Sequence, residues 1–264
     1  MSVMDGITDT VLLEARNLSV AVAGKTVCND LNLVINCGEC WGMLGRNGAG
    51  KTTLLHALAG LRASQAGTIH LRGQPLNNMS RRHVAQFLGV LFQHVEDPFP
   101  STVQETALIG RHPYLTAWRW EGEEDRRHAQ HALSQMGLVD MASRQVDTLS
   151  GGERQRLAIA TLLTQDPQLF LLDEPVNHLD LHHQIMVMNL LMQQARQAGK
   201  ALLMVLHDVN MAMRYCDYIL LLLDNEQVVH GRTDEILTQE NLEKLYGHTM
   251  HCIEVQGRRI FIAE

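Results

Sequence analysis

The sequence predicts an α/β fold in which a phosphate-binding sheet carries an antiparallel β part and an inserted helical part. An apolar strand, a glycine-rich loop and a helix-like run follow one another at 41–61. Two alternating segments, at 12–22 and 27–35, predict adjacent antiparallel strands. A helical stretch at 94–165 then lies between two apolar strands of the sheet.

The composition is that of a folded protein with a sizeable core. The chain has 264 residues, 45% of them hydrophobic, and a formal net charge of −7. This acidic balance argues against a nucleic-acid partner, because contacts to a phosphate backbone need a basic face. The apolar runs at 201–206 and 218–223 are far shorter than the roughly 18 residues that span a bilayer. The first ten residues lack the basic and apolar regions of a secretion signal, so a cytoplasmic location is expected.

The glycine-rich loop at 45–53, GRNGAGKTT, fits the phosphate-loop pattern G-x-x-x-x-G-K-[ST]. Its glycines allow backbone N–H groups to turn inward, and the following helix presents its positive end to the same point. A polyphosphate is expected here, with Lys51 at the β- and γ-phosphates and the Thr52 hydroxyl on Mg²⁺. A plain glycine-rich turn before a helix is the alternative that this motif alone leaves open.

A helical insertion interrupts the sheet. Beyond the loop helix, strands are predicted at 68–72 and 89–92. A proline-broken segment at 97–100 then introduces helical spacing, most clearly at 126–135, before the sheet resumes at 168–172. The chain is therefore expected to form two lobes, with boundaries near residues 93 and 165.

A second helix amino terminus lies at 149–160, where the sequence is LSGGERQRLAIA. Ser150, Gly151 and Gly152 precede a strongly helical run, so that a hydroxyl and two amides gather at the positive end of a helix and suit an anion. An N-cap serine with loop glycines is the alternative, and it is the simpler interpretation of these three residues alone. The neighbouring motifs favour the anion site.

Two adjacent carboxylates end the apolar strand at 169–174. Because successive side chains of a strand point to opposite faces, Asp173 is expected to hold Mg²⁺ while Glu174 faces an attacking water. A further buried strand is predicted at 205–208, where it delivers His207. A lone histidine after a strand is more often structural than catalytic, but the register of the motifs favours a catalytic role for His207.

The five cysteines lack the density of a disulfide scaffold. Cys37 and Cys40 have the C-x-x-C spacing of zinc and redox sites, but no second pair accompanies them. The intervening Gly38-Glu39 instead predicts a turn into the next strand.

Together, these motifs resemble the nucleotide-binding subunit of an ABC transporter, from about Leu12 to the end of the chain. The six matching motifs are the Walker A loop at 45–53, the Q-loop Gln93, the signature motif at 149–153, Walker B at 169–174, the D-loop at 177–180 and the switch histidine His207. The resemblance implies a single ABC ATPase domain over 1–264. Its P-loop NTPase (RecA-like) core, with an antiparallel β subdomain, would comprise 1–93 and 166–264, and 94–165 would form an α-helical subdomain that contains the signature motif.

The resemblance also implies a head-to-tail dimer that binds ATP and Mg²⁺. Each ATP would lie between the Walker A loop of one copy and the signature motif of the other. Glu174 would polarise the water, His207 would contact the γ-phosphate, and Asp180 would signal across the dimer. The implied nucleotide-binding residues are Gly45, Arg46, Asn47, Gly48, Ala49, Gly50, Lys51, Thr52, Thr53 and Gln93, with Lys51 also catalytic. The implied Mg²⁺ ligands are Thr52, Gln93 and Asp173, and the signature residues are Leu149, Ser150, Gly151, Gly152 and Glu153.

Two positions depart from the family pattern. Where the family usually has an aromatic residue that stacks on adenine, this sequence aligns Val22, which predicts weak base selectivity. Arg46 precedes Asn47 where many members have proline, and it adds a charge beside the phosphates.

Within the family, the stretches at 110–114, 179–184 and 207–217 resemble the ATPases of importers for ferric siderophores, haem and cobalamin. That resemblance implies uptake of a metal chelate through a separate membrane permease, with a substrate-binding protein as an indirect partner. The subunit would lie at the cytoplasmic side of the inner membrane, and 94–114 would dock the permease. An exporter ATPase and a cytoplasmic ABC ATPase without transport function are the alternatives, as is a plain connecting loop at 97–100.

Overall fold

The computed structural model describes residues 10–93, 100–116, 120–224 and 226–264. Its strands are β1 (Val11–Val22), β2 (Lys25–Asn36), β3 (Cys40–Gly45), β4 (Ala66–Leu71), β5 (Gln74–Pro75), β6 (Leu88–Leu91), β7 (Leu169–Asp173), β8 (Ala201–Val205), β9 (Tyr218–Leu222), β10 (Val228–Arg232), β11 (Met250–Val255) and β12 (Arg258–Ala263). Its α-helices are α1 (Lys51–Leu58), α2 (Arg81–Phe87), α3 (Val103–Leu108), α4 (Glu123–Gln135), α5 (Gly151–Gln165), α6 (Leu181–Ala198), α7 (Val209–Tyr215), α8 (Thr233–Ile236) and α9 (Gln239–Tyr246). Residues 97–99 of the predicted chain break, and the part of the predicted docking segment before Pro100, lie outside the described residues.

An antiparallel sheet forms from β2, β1, β4 and β5, in that order. Alternation of apolar side chains explains the pairing, since Leu13 of β1 lies opposite both Ile35 and Leu71, and all three are buried. The predicted strand pair is therefore confirmed. The inner face of this sheet packs on α1, where Leu54 and Leu58 are fully buried.

A second sheet has the strand order β10–β9–β3–β8–β7–β6 and is parallel except for β10. Its central strands are buried on both faces, because the sheet separates two apolar cores. Leu44 and Phe170 face the core on the side of α5 and α6, whereas Met43 and Leu171 face the core under the antiparallel sheet. The continuous apolar runs in the sequence reflect this double burial, and the predicted α/β class is confirmed.

The helices α3, α4 and α5 lie between β6 and β7 in sequence and share one apolar core. A buried ion pair ties the 3-10 turn Ile109–Tyr114 to them: Arg111 Nε donates to Asp125 Oδ1 at 2.9 Å, and Arg111 Nη1 donates to the main-chain oxygen of Thr164 at 3.3 Å. The guanidinium also lies 4.1 Å from the centroid of the Tyr114 ring. This turn is therefore held rigidly against α4 and α5.

The strand predicted at 205–208 is wrong in its bounds. β8 ends at Val205, and Asp208 is already the N-cap of α7. The apolar run continues through Leu206 because this residue is as buried as the strand, and its N–H still donates to the main-chain oxygen of Met43 in β3 at 3.1 Å. No helix among the described residues has both the length and the apolar character of a membrane span.

Candidate active site

The residues that the motifs single out meet at one edge of the large sheet. The strands β3, β8, β7 and β6 are parallel neighbours in this order, so their carboxyl ends lie side by side. Gly45 ends β3 and Asp173 ends β7, while Gln93 and His207 follow closely after β6 and β8. Open parallel sheets bind ligands at this edge. The topology thus assembles a candidate active site from four segments that are distant in sequence.

The loop between β3 and α1 has the backbone of a phosphate-binding loop. Gly48 and Gly50 have left-handed φ angles of 77° and 96°. At Gly50 an added Cβ would also come within 2.6 Å of Val27, so both conformation and space require glycine there. Gly50 is the N-cap of α1. The N–H groups of the first helical turn therefore lack intrahelical partners and can donate hydrogen bonds to an anion.

Lys51 lies inside this loop. Its side chain is buried, and Nζ donates to the main-chain oxygens of Gly45 at 2.7 Å and Arg46 at 3.1 Å. Burial lowers the pKa of Lys51, whereas the nearby carboxylates of Glu174 and Asp173 oppose that shift. The ammonium is therefore held between the start of the loop and the two acids.

The outer part of the loop is exposed. Arg46 Nη1 lies 3.5 Å from Asp224 Oδ2, and the Ala49 N–H donates to the main-chain oxygen of Arg46 at 3.1 Å. Asn47 is exposed beside them, whereas Thr53 is half-buried on α1. The guanidinium of Arg46 thus lies at the rim of the loop, beside the Asp224 carboxylate.

Asp173 is a fully buried carboxylate at the end of β7. Burial raises its pKa, and the nearby Thr52 hydroxyl opposes this only in part. Among the described residues, neither carboxylate oxygen has a partner within ordinary hydrogen-bond limits. A buried carboxylate without a partner is costly, and a bound cation would remove that cost.

Glu174 is set apart from Asp173 by a backbone turn. β7 ends at Asp173, Glu174 has a left-handed φ of 53°, and Pro175 follows. The prediction that the strand pleat separates the two acids was therefore wrong, because a residue pattern does not show where extended backbone stops. Non-glycine residues rarely adopt this conformation, and such strain is concentrated at functional sites.

The Glu174 carboxylate is held by side chains from different segments. Its Oε1 lies 2.5 Å from Nε2 of His207, and its Oε2 accepts from Nδ2 of Asn177 at 2.8 Å. Burial alone would raise the pKa of Glu174, but hydrogen bonds from His207, Gln93 and Asn177 outweigh it, so the pKa is lowered. The carboxyl is therefore ionised near neutral pH and fixed in orientation.

His207 occupies the connection between β8 and α7. On one side, Leu206 is anchored to Met43, and on the other, Asp208 caps α7 by accepting from the N–H of Asn210 at 2.7 Å. About half of the His207 side chain remains exposed. The imidazole therefore stands at a fixed place with one side bound to Glu174 and another open.

The signature helix α5 begins with a capping box. The Ser150 hydroxyl accepts from the Glu153 N–H at 3.3 Å, and the Glu153 carboxylate accepts from the Ser150 N–H at 2.7 Å. Leu149 is buried, and Gly151 is exposed. An added Cβ at Gly152 would lie 3.2 Å from the His178 main-chain oxygen, so the D-loop of the same chain packs closely on this helix start. The N-cap interpretation is confirmed, and the anion site stays a prediction.

Asp180 ends the D-loop and caps α6. Its Oδ1 accepts from the His183 N–H at 2.9 Å, and this hydrogen bond lowers the pKa of Asp180. The side chain is otherwise largely exposed. An ionised carboxylate is therefore presented at the surface beside the start of α5.

The sequence motifs do not predict one contact beside the site. Gln155 of α5 donates from Nε2 to the main-chain oxygens of Glu174 at 3.3 Å and Pro175 at 3.0 Å. Its position within the signature helix was visible, but helical spacing alone does not show which strand end that face meets. The role of Asn177 on Glu174 was missed for the same reason, although Asn177 belongs to the D-loop motif.

The C-x-x-C pair shows no sign of reactivity. Cys40 is fully buried at the start of β3, and burial raises the pKa of its thiol to about 12. Redox and zinc chemistry need the thiolate. The predicted turn at Gly38-Glu39 is present, with Gly38 at a left-handed φ of 82°.

Known proteins are similar to this chain in sequence and in fold. The ABC transporter family matches residues 28–177. The ferric enterobactin transport ATP-binding protein FepC of Escherichia coli (strain K12) is 38% identical over 238 residues, which cover 89% of this chain and 87% of that protein. The iron(3+)-hydroxamate import ATP-binding protein FhuC of Bacillus subtilis (strain 168) is 34% identical over 234 residues, with coverages of 89% and 87%. A solved ABC transporter assigned to the metal-chelate type, in an inward-facing conformation, is similar with a TM-score of 0.83 at 28% identity, over 96% of this chain and 98% of its own.

Proposed function

We propose that this chain, which belongs to the ABC transporter family, is the ATPase subunit that powers uptake of a metal chelate through a separate membrane permease. ATP-binding subunits of this family hydrolyse ATP to drive transport. The observation that carries the proposal is the meeting of the phosphate loop with the Glu174–His207 pair at one sheet edge. The cargo class is supported by the relatives, which include iron-chelate transport subunits over most of the chain length.

The hydrolysis step needs a phosphate clamp and a group that activates water. A water oxygen bonds to the γ-phosphorus, the bond from that phosphorus to the bridging oxygen breaks, and ADP, inorganic phosphate and a proton leave. The loop amides at 45–53 and Lys51 bind the β- and γ-phosphates. Glu174, kept ionised by its neighbours, accepts the proton from the water, and the open side of His207 contacts the γ-phosphate.

The residues present fit a magnesium ion. Both oxygens of the buried Asp173 carboxylate lack partners within ordinary hydrogen-bond limits in the described part of the chain, and the Thr52 hydroxyl and the Gln93 side chain would add oxygen ligands. Magnesium prefers such a set of hard oxygens. When bound, it neutralises charge that develops on the phosphates.

We place the signature residues at the ATP of a second copy. Subunits of this family work as dimers with membrane permease subunits. The Ser150 hydroxyl accepts a hydrogen bond from Glu153 but keeps its own hydrogen to donate, and the exposed Gly151 belongs to a helix start with unpaired amides. The ionised Asp180 beside it offers a contact across the dimer.

The docking surface for the permease is proposed to include 94–114, at the cytoplasmic side of the inner membrane. A substrate-binding protein would deliver the chelate to the other side. In the described part of this segment, Ile109 is exposed by 47% on a turn that the Arg111–Asp125 pair anchors to α4. An exposed apolar side chain on a rigid support suits a protein partner.

Transport by the assembled subunit and permease in vesicles tests this function. Wild type should hydrolyse ATP and take up a ferric hydroxamate. Ile109→Asp should lower uptake at least about tenfold, because a charge would be desolvated at the interface, while the isolated subunit still hydrolyses ATP. Val34→Asp, a charge at an exposed position of the antiparallel sheet, is the matched control. Uptake restricted to metal-free solutes would refute the cargo class, and absence of ATP hydrolysis would refute the ATPase assignment.

A further inference from the structure

A cleft beside the phosphate loop is lined in part by residues that belong to none of the sequence motifs. It is an open cleft of about 470 Å³. Its lining residues are Gly45, Arg46, Asn47, His207, Tyr246 and His248. The last two come from the end of α9 and the turn that leads into β11. The carboxyl-terminal part of the chain therefore reaches the candidate active site.

Local geometry holds His248 at this place. Gly247 ends α9 in a left-handed conformation with φ 72°, and the N–H of Met250, just beyond the turn, donates to Glu243 Oε1 at 3.1 Å. The hairpin of β11 and β12 is also clamped to α7: Asn210 Nδ2 donates to the main-chain oxygen of Phe261 at 3.0 Å, and the Phe261 N–H donates to Asn210 Oδ1 at 2.8 Å. Because α7 begins directly after His207, this clamp fixes the hairpin relative to that histidine.

The polar groups of the cleft suit a small anion. The described lining residues contribute a guanidinium, an amide, two imidazoles and a phenol hydroxyl, and no carboxylate. Burial, with a smaller effect from Asp208, raises the pKa of Tyr246, so the phenol keeps its proton and can donate. Two of the lining groups also contact carboxylates outside the cleft: His207 contacts Glu174, and Arg46 lies 3.5 Å from Asp224. Hydrogen bonds from charged donors to phosphate oxygens are among the strongest in proteins.

We propose that this cleft binds the inorganic phosphate that ATP hydrolysis releases, with His248 and Tyr246 as ligands from the carboxyl-terminal segment. The inference rests on the proposed ATPase function, because hydrolysis supplies the phosphate. His207 lines the cleft and also contacts Glu174, so the cleft begins where the γ-phosphorus is attacked. Once the bridging bond breaks, phosphate moves away from Lys51 toward the exposed side of the cleft, where the Arg46 side chain and His248 lie, and ADP stays on the loop.

Product inhibition by inorganic phosphate tests the proposal on the full chain. In His248→Ala the inhibition constant for phosphate should rise about tenfold, as expected for loss of one hydrogen bond to a charged group. His248→Gln keeps a donor and should show a smaller rise. The matched control is His251→Ala, because His251 lies on β11 near Glu264, 3.5 Å away, and does not line the cleft. Calorimetric titration of phosphate into the ADP-loaded proteins should give the same order.

The outcomes separate this inference from the function on which it rests. Equal phosphate inhibition in His248→Ala and His251→Ala, or no inhibition of the wild type, would overturn the cleft assignment while ATP hydrolysis stands. A weakened ADP affinity in His248→Ala with unchanged phosphate inhibition would also overturn it, since His248 would then serve the nucleotide. Wild-type protein that neither binds ADP nor hydrolyses ATP would instead refute the ATPase function.

Discussion

Replacing Gln155 with leucine should disturb the position of the Glu174 carboxylate and leave the binding of ATP unchanged. The two hydrogen bonds that Gln155 donates, at 3.3 and 3.0 Å, are the described side-chain contacts on the main-chain oxygens of Glu174 and Pro175. Each is worth about 0.5–1.5 kcal/mol, so the free energy of unfolding should fall by about 1–3 kcal/mol. Glu174 has a strained left-handed backbone, and without this support its carboxylate loses its fixed orientation. We expect kcat to fall about tenfold.

The KM for ATP should change little in Gln155→Leu, because the phosphate loop is not touched. Steady-state phosphate release gives kcat and KM, and urea unfolding gives the stability. The matched control is Gln193→Leu on α6, where Gln193 Nε2 donates to the exposed Gln197 at 3.0 Å. If stability falls in Gln155→Leu but kcat does not, the contact is structural only and the reasoning about Glu174 is refuted.

Two further substitutions test the site and its support. Glu174→Gln removes the proton acceptor but none of the phosphate ligands, so turnover should fall by about 100-fold or more. ATP binding and ATP-dependent dimerisation, measured by fluorescence titration and size-exclusion chromatography, should persist, and full activity would contradict the assignment. Arg111→Leu leaves the buried Asp125 carboxylate without its guanidinium, so the free energy of unfolding should fall by about 3–5 kcal/mol, measured by urea denaturation. Lys244→Leu, which removes an exposed ion pair with Glu240, should cost less than about 1 kcal/mol, and an equal loss in both variants would refute the argument.

The parts of the site that the sequence predicts are those determined by local chemistry. The glycines of the phosphate loop predict its backbone conformation, since Gly50 needs both a left-handed φ and the space beside Val27. The buried strands are recognisable in the sequence as continuous apolar runs, because both of their faces are covered. Ser150 followed three residues later by Glu153 is a capping box in sequence as well as in structure.

The parts that the sequence does not predict depend on which distant faces meet. Asn177 lies in the D-loop motif and Gln155 on the helix that follows the signature motif, but only the packing of α5 and the D-loop against the end of β7 brings them to Glu174. His248 lies outside every motif, and its place in the cleft follows from a hairpin clamped by Asn210. The turn at Glu174 was missed because glutamate gives no sign of a left-handed backbone, unlike glycine.

These long-range contacts share one feature, which is that they end on the Glu174–His207 pair or beside it. The helix that carries Ser150 reaches the main chain of Glu174 through Gln155, and the carboxyl-terminal hairpin reaches the helix after His207 through Asn210. The strain of a left-handed residue costs about 1–3 kcal/mol, which is similar to the net worth of the hydrogen bonds that support it. Because these two free energies are similar, a small movement of α5 that weakens the hydrogen bonds from Gln155 is enough to reorient the Glu174 carboxylate. Since the start of α5 is the proposed contact to the ATP of a second copy, and Gln155 lies only five residues beyond Ser150 on the same helix, we expect binding there to influence this chain's own Glu174 and hydrolysis to be cooperative.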